Sequence, residues 1–203
     1  AAGIMLPILI IMDWVGVWTY RKHWDRTLLL LTLPGAVLGI VAGGFLAGYV
    51  DDQVVRIVVG VIAVLFPIYA VFKPRGGDAF IKNNRPLGVI SGAVAGFTSF
   101  VAHAGGPPYQ AYAIPQGLDK RIYAGTAVMF FFVVNFVKVV PYAMLGQFDQ
   151  TNLTTSLILI PIAPFGVLFG AWLVKRIDQT LFYRILYGLI FSVCLKLLWD
   201  GFT

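Results

Sequence analysis

The stretch "SFVAHAGGPPYQAYAIP" (Ser99–Pro115) decides how this chain is read. It lies in a run, Pro86–Leu118, that holds no Asp, Glu, Lys or Arg and is long enough to cross a bilayer as helix. Yet the centre of that run places His103, Gly105, Gly106, Pro107 and Pro108 together, and such residues stop helices. Backbone freed at membrane depth must find partners in protein or in a wet cavity. The pattern predicts a helix ending near Ala102, a turn, and a second short helix starting near Pro107, where a missing N–H is no loss. The N-terminal end of that second helix would carry free N–H groups and partial positive charge, which favour an anion. Discontinuous helices of this kind build substrate sites in transporters. The alternative is a tight packing turn between two helices.

The rest of the chain sets the context. It has 203 residues, 59% hydrophobic and 12% charged, whereas a soluble domain carries about 25% charged residues. Uncharged stretches of 24 and 25 residues, Thr27–Val50 and Gln150–Val174, are each long enough to span a hydrocarbon core. Further apolar segments cover 1–20, 54–72, 122–145 and 181–199. The fold class is therefore an all-α polytopic membrane protein. A net charge of +6 does not imply nucleic acid, because the basic residues sit mainly in short loops, as cytoplasmic loops of membrane proteins do. One cysteine, Cys194, excludes a disulfide framework and a multi-thiolate metal site, and no cofactor or metal is expected. Ala1–Met12 lacks the basic start of a cleavable signal peptide.

The chain also matches itself. Pro34, Gly39, Gly43, Leu46 and Asp51 recur 127 residues later as Pro161, Gly166, Gly170, Leu173 and Asp178. At an offset of 122, Ala2-Gly3 matches Ala124-Gly125, Asp13 matches Asn135 and Tyr20 matches Tyr142. Internal duplication is common in transporters. Residues 1–72 are expected to be the remainder of a first repeat with three spans, 73–85 a cytoplasmic linker, and 86–203 a second repeat made of the broken hairpin 86–118 and three spans. Nothing before Ala2 matches Pro86–Tyr123, so the first repeat is expected to be incomplete at its N-terminus.

Charge sets the expected orientation. The loop "RKHWDR" (Arg21–Arg26) is basic while its counterpart "GQFDQTN" (Gly146–Asn152) is not; "DDQ" (Asp51–Gln53) and "KRIDQ" (Lys175–Gln179) show the reverse. That exchange is what two repeats of inverted topology should show. With Arg21–Arg26 inside, eleven of the fifteen Lys and Arg fall in cytoplasmic loops, and Pro86–Leu118 must leave and re-enter on one side as a broken or re-entrant hairpin.

Few polar residues lie within the spans. His103 is the only histidine in an apolar segment; it is either a structural group or a ligand or proton carrier. Ser91, Thr98 and Ser99 precede it, and such hydroxyls can simply bond back to their own helix. Lys138 stands inside 122–145 with Asn135 on the same face. It either supplies a fixed positive charge or snorkels to the interface near Tyr142 and Gly146. Asp13 either pairs with Lys138 or carries a proton. No phosphate loop, Ser-His-Asp set, paired-His metal site or potassium-filter motif is present, so an enzyme is not expected.

The stretch "GFTSFVAHAGGPPYQAYAIPQGLDKRIYAGTAVMFFFVVNFVKVVPYAMLG" (Gly96–Gly146) resembles the second repeat of the TauE/SafE-type sulfite exporter family, and "AAGIMLPILIIMDWVGVWTYRKHWD" and "PGAVLGIVAGGFLAG" resemble the later part of its first. "HAGGPP", Gly125-Thr126 and "NFVK" (Asn135–Lys138) carry the resemblance. It implies a multi-pass permease of the cell inner membrane that moves sulfite, sulfonates or related small anions, coupled to an ion gradient. Substrate is then expected at Ser99, His103, Gly105, Gly106, Pro107, Pro108, Tyr109, Asn135 and Lys138, with His103 and Asp13 as candidates for proton coupling. The expected partners are a small anion, the lipid bilayer and a coupling proton, not nucleic acid; a homo-oligomer stays open. An anion channel, or transport of another small anion on the same scaffold, is the rival reading.

Overall fold

The computed structural model describes residues 2–46, 82, 84–146, 148 and 150–202; the expected span 54–72 and the loop Asp51–Gln53 lie outside them. The chain forms α1 (Ala2–Tyr20), α2 (Arg26–Leu46), α3 (Arg85–Ala102), α4 (Gly106–Ala113) with a 3-10 turn Ile114–Gln116, α5 (Lys120–Met144), α6 (Gln150–Leu159), α7 (Ala163–Arg176) and α8 (Gln179–Phe202). No strand occurs among the described residues. Helices α1, α2, α3 and α5 are each long and apolar enough to cross a membrane.

Helix starts follow from local sequence. The Asp25 carboxylate accepts from the Leu28 N–H at 2.7 Å, Asn84 Oδ1 from Leu87 at 3.2 Å and Asp119 Oδ1 from Arg121 at 2.8 Å. Each side chain satisfies a donor that the first helical turn leaves free. Pro86 adds a preset φ at the start of α3.

The stretch Gln150–Val174 departs from the uninterrupted span its length suggests. It is two helices, α6 and α7, meeting at a 45° bend. Pro161 cannot donate to the preceding turn and its ring crowds the carbonyl four residues back. Its repeat counterpart Pro34 stays inside a continuous α2. The difference lies three residues on, where Pro164 opens α7 but Val37 continues α2.

The helices sort into two compact units, each built from two separate segments of the chain. One contains residues 30–118 and 179–203, and its seam is α2 against α3. Glycine makes that seam. A Cβ on Gly35 would overlap the Val89 carbonyl, one on Gly39 the Ala93 carbonyl, and one on Gly96 the Ala36 carbonyl. Contacts advance along both helices together, from Thr32–Gly92 through Gly39–Ala93 to Gly43–Phe100, so α2 and α3 run parallel. Between apolar helices in lipid, backbone approach of this kind supplies the attraction that hydrophobic burial cannot. Helix α8 is tied in by Tyr183 Oη and Gln179 Nε2, which both donate to the Leu118 carbonyl, at 2.8 and 3.2 Å.

The other unit contains residues 1–29 and 119–178. Here α1 packs on α5, and contacts run backward on α5 as they advance on α1: Asp13 meets Asn135, Gly16 meets Val128, His23 meets Gly125. The two helices are antiparallel. Trp14 and Phe132 meet edge to face, centroids 5.5 Å apart. Ser156 fixes α6 to α1 by donating to the Ile4 carbonyl at 2.8 Å.

Substitution should separate packed from open glycines. Gly39→Leu is expected to cost about 1–3 kcal/mol or to block assembly, since backbone cannot yield as a side chain can. Gly166→Leu, at the matching repeat position on α7 but facing open space, should be nearly neutral. Thermal unfolding of the detergent-solubilised variants decides this, and equal losses would refute the seam.

Candidate functional site

The break in the charge-free run falls between α3 and α4. Helix α3 ends where His103 takes a left-handed conformation (φ 52°), the only non-glycine to do so among the described residues. The Ala104 N–H then donates to the Thr98 carbonyl at 3.2 Å and closes the end. A left-handed residue with a Cβ costs roughly 1–2 kcal/mol, although His bears it better than most. Gly105 caps α4, and Ser91 Oγ on α3 donates to the Pro108 carbonyl at 2.7 Å, holding the second helix against the first.

Donors at the start of α4 can be counted. Pro107 and Pro108 have no N–H, and the Tyr109 N–H bonds to the Gly105 carbonyl at 3.3 Å. The amides of Gly105 and Gly106 are therefore the two left to meet a ligand at this end. The hydroxyls before the break have other duties: Thr98 bonds back to Val94 at 2.8 Å, while Ser91 holds Pro108. Ser99 and Tyr109 are buried.

Two polar groups here were not legible as site residues. The Gln110 side chain folds back one turn to lie beside Gly106, and its Oε1 is buried without a hydrogen-bond partner. The Tyr112 hydroxyl, also buried and unpartnered, rests on Gly88 of α3. The signal for Gln110 was its i+4 spacing from Gly106. Tyr112 needs the hairpin geometry to be seen.

The other polar cluster lies in the α1–α5 unit. Asn135 Nδ2 donates to Asp13 Oδ2 at 2.7 Å, joining the two matching repeat positions. Lys138, one turn along α5, has 0% of its surface exposed, and its charge acts on that of Asp13. The Lys138 side chain is thus enclosed by the helices of its own unit. The predicted site residues thus divide into Ser99, His103 and Gly105–Tyr109 around the break, and Asp13, Asn135 and Lys138 at the α1–α5 crossing.

Gly125 and Thr126, also part of the family pattern, have a structural explanation. Gly125 admits the His23 carbonyl, where any Cβ would overlap it. Thr126 Oγ1 accepts from the Asp25 N–H at 2.8 Å and donates to the Ile122 carbonyl at 2.6 Å. Together they close the α1–α2 loop onto α5.

These helices define a multi-pass α-helical membrane protein with a broken helix and a buried charged cluster. The chain belongs to the sulfite exporter TauE/SafE family, whose sequence model matches residues 1–197, and it is a membrane transporter. Among curated proteins and among solved structures no match to the chain is found.

Two predictions follow from the clusters. Lys138→Met should cost on the order of 3 kcal/mol by leaving Asp13 without its counter-charge, and Asp13→Leu with Lys138→Met should recover much of it. Thermal melts of the two single variants and the double complete the cycle; additive losses would show that the groups do not act together. His103→Gly should raise stability by about 1 kcal/mol by relieving the left-handed backbone. If it also abolishes transport, the imidazole and not the turn is what the break requires.

Proposed function

We propose that this protein is a secondary transporter that exports small sulfur-containing anions, such as sulfite or an organosulfonate, across the cell inner membrane. The observation that carries the reading is the start of α4, where the Gly105 and Gly106 amides remain undonated in a stretch without charged side chains. Two amides at the positive end of a helix suit a small oxyanion with closely set oxygens. The family supports transport, and its description names sulfite.

In this reading the anion's oxygens meet the amides of Gly105 and Gly106 near the bilayer midplane. Within the α1–α5 unit, Lys138 carries a buried positive charge and Asn135 orients the Asp13 carboxylate. Access alternates as one repeat rocks against the other. The antiparallel α1–α5 pair supports that scheme, because repeats of inverted topology bring matching helices together in opposite directions. His103 or Asp13 carries the coupling proton; a substitution that leaves the pH dependence of transport unchanged removes that residue from the role.

Binding decides the cargo. Sulfite, sulfate, sulfoacetate and a matched carboxylate are titrated against the purified protein and Lys138→Gln. Selective, saturable binding of one sulfur oxyanion, weakened about tenfold or 1.4 kcal/mol in the variant, is expected. Equal binding of the carboxylate would overturn the sulfur assignment.

A further inference from the structure

In the α1–α5 unit, three chain segments gather their cations at one end. Lys120 Nζ donates to the Ile177 carbonyl, bringing the start of α5 to the end of α7. The Asp25–Thr126 and His23–Gly125 contacts bring the α1–α2 loop to the same first turns of α5. Among the described residues of this unit, Arg21, Lys22, Arg26, Lys120, Arg121, Lys175 and Arg176 therefore share this end with only Asp25, Asp119 and Asp178. Two of those acids are occupied as helix caps.

The arginines are arranged, not merely concentrated. Helix α1 ends in Trp18-Thr19-Tyr20-Arg21, with the Arg21 guanidinium 5.9 Å from the Trp18 ring centroid. Helix α7, which packs on α1, ends in Trp172-Leu173-Val174-Lys175-Arg176, with Arg176 5.4 Å from the Trp172 centroid. Arg26 lies 5.5 Å from Trp24, whose own N–H is turned back onto the Arg21 carbonyl at 3.2 Å. Each guanidinium carbon lies over an indole within cation–π reach, and the planar head carries its donors in an in-plane N–H fork. Neither Arg21 nor Arg176 has a carboxylate partner among the described residues. Trp18 and Trp172 are 68% and 51% exposed, so each arginine sits beside an indole that faces the surroundings of the helix.

We propose that this end binds the headgroup of an anionic glycerophospholipid. Arg21 and Arg176 meet its phosphate, and Trp18 and Trp172 meet its glycerol and upper acyl chains. A soluble phosphate would use the guanidiniums but leave both indoles idle. A lipid matches the whole surface: anionic oxygens above, apolar chain below, at the depth where tryptophan prefers to sit.

The test uses the full chain in mixed micelles holding equal phosphatidylglycerol and phosphatidylcholine, with retained lipid counted by native mass spectrometry. Phosphatidylglycerol should be retained in preference, and Arg21→Gln with Arg176→Gln should cut that retention about tenfold or more. Arg184→Gln, which removes an exposed charge from α8, should change it less than about twofold. The Arg21→Lys, Arg176→Lys variant keeps the charge but loses the fork, and should fall between. Equal retention of the two lipids overturns the proposal, as does an equal loss in Arg184→Gln or full retention in the lysine variant. Displacement of the lipid by inorganic phosphate alone would mark a soluble-anion site and overturn it too.

Discussion

A carbonyl freed inside a membrane has no water to turn to, and the breaks in these helices are arranged around that constraint. Where α3 stops, the Thr98 carbonyl takes the Ala104 amide, and the Pro108 carbonyl beyond the break takes Ser91. Before α5, the Leu118 carbonyl takes both Tyr183 and Gln179. In the charged loops outside the apolar runs, the Ile177 carbonyl likewise takes Lys120 and the Arg21 carbonyl takes Trp24. All but the first of these closures reach from a side chain to a backbone carbonyl. The turn at His103 can therefore exist in an apolar run because its neighbours answer for its backbone.

What the sequence makes legible follows from local chemistry. The helix break is such a case: left-handed turns, glycines and prolines act within a few residues, and α3 and α4 end and begin at Ala102 and Gly106. The membrane class is another, because composition and uncharged runs settle it. Interruption of Gln150–Val174 was less visible, since Pro34 shows that one proline is survivable and only the pair Pro161 and Pro164 separates α6 from α7. Lys138 was ambiguous for a different reason. Its depth in the span was readable, but whether its long stem reaches outward or is trapped depends on which helix covers it, and that is tertiary. The same holds for Gly125 and Thr126, whose role appears only with the α1–α2 loop laid against them.

The glycine seam and the polar crossing use opposite means of joining helices. Between α2 and α3 the side chains are removed so that backbones touch, and the contact is dense and without a charge. Between α1 and α5 the contact runs through Asp13, Asn135 and the fully buried Lys138. Charges in such a place are costly and tolerate few rearrangements, whereas they respond to protons and ions.

The Asp13–Asn135 bond has a further consequence. These residues hold matching positions on antiparallel helices, so their contact lies on the two-fold axis that would relate the two. At such a point each residue faces its own counterpart. Two carboxylates there would repel, and two carboxamides would pair without direction. One acid opposite one amide gives a bond with a single sense, Asn135 donor and Asp13 acceptor. The crossing is thus unsymmetrical at the one place where symmetry would be most closely enforced, and the two helices that meet there are chemically distinguishable.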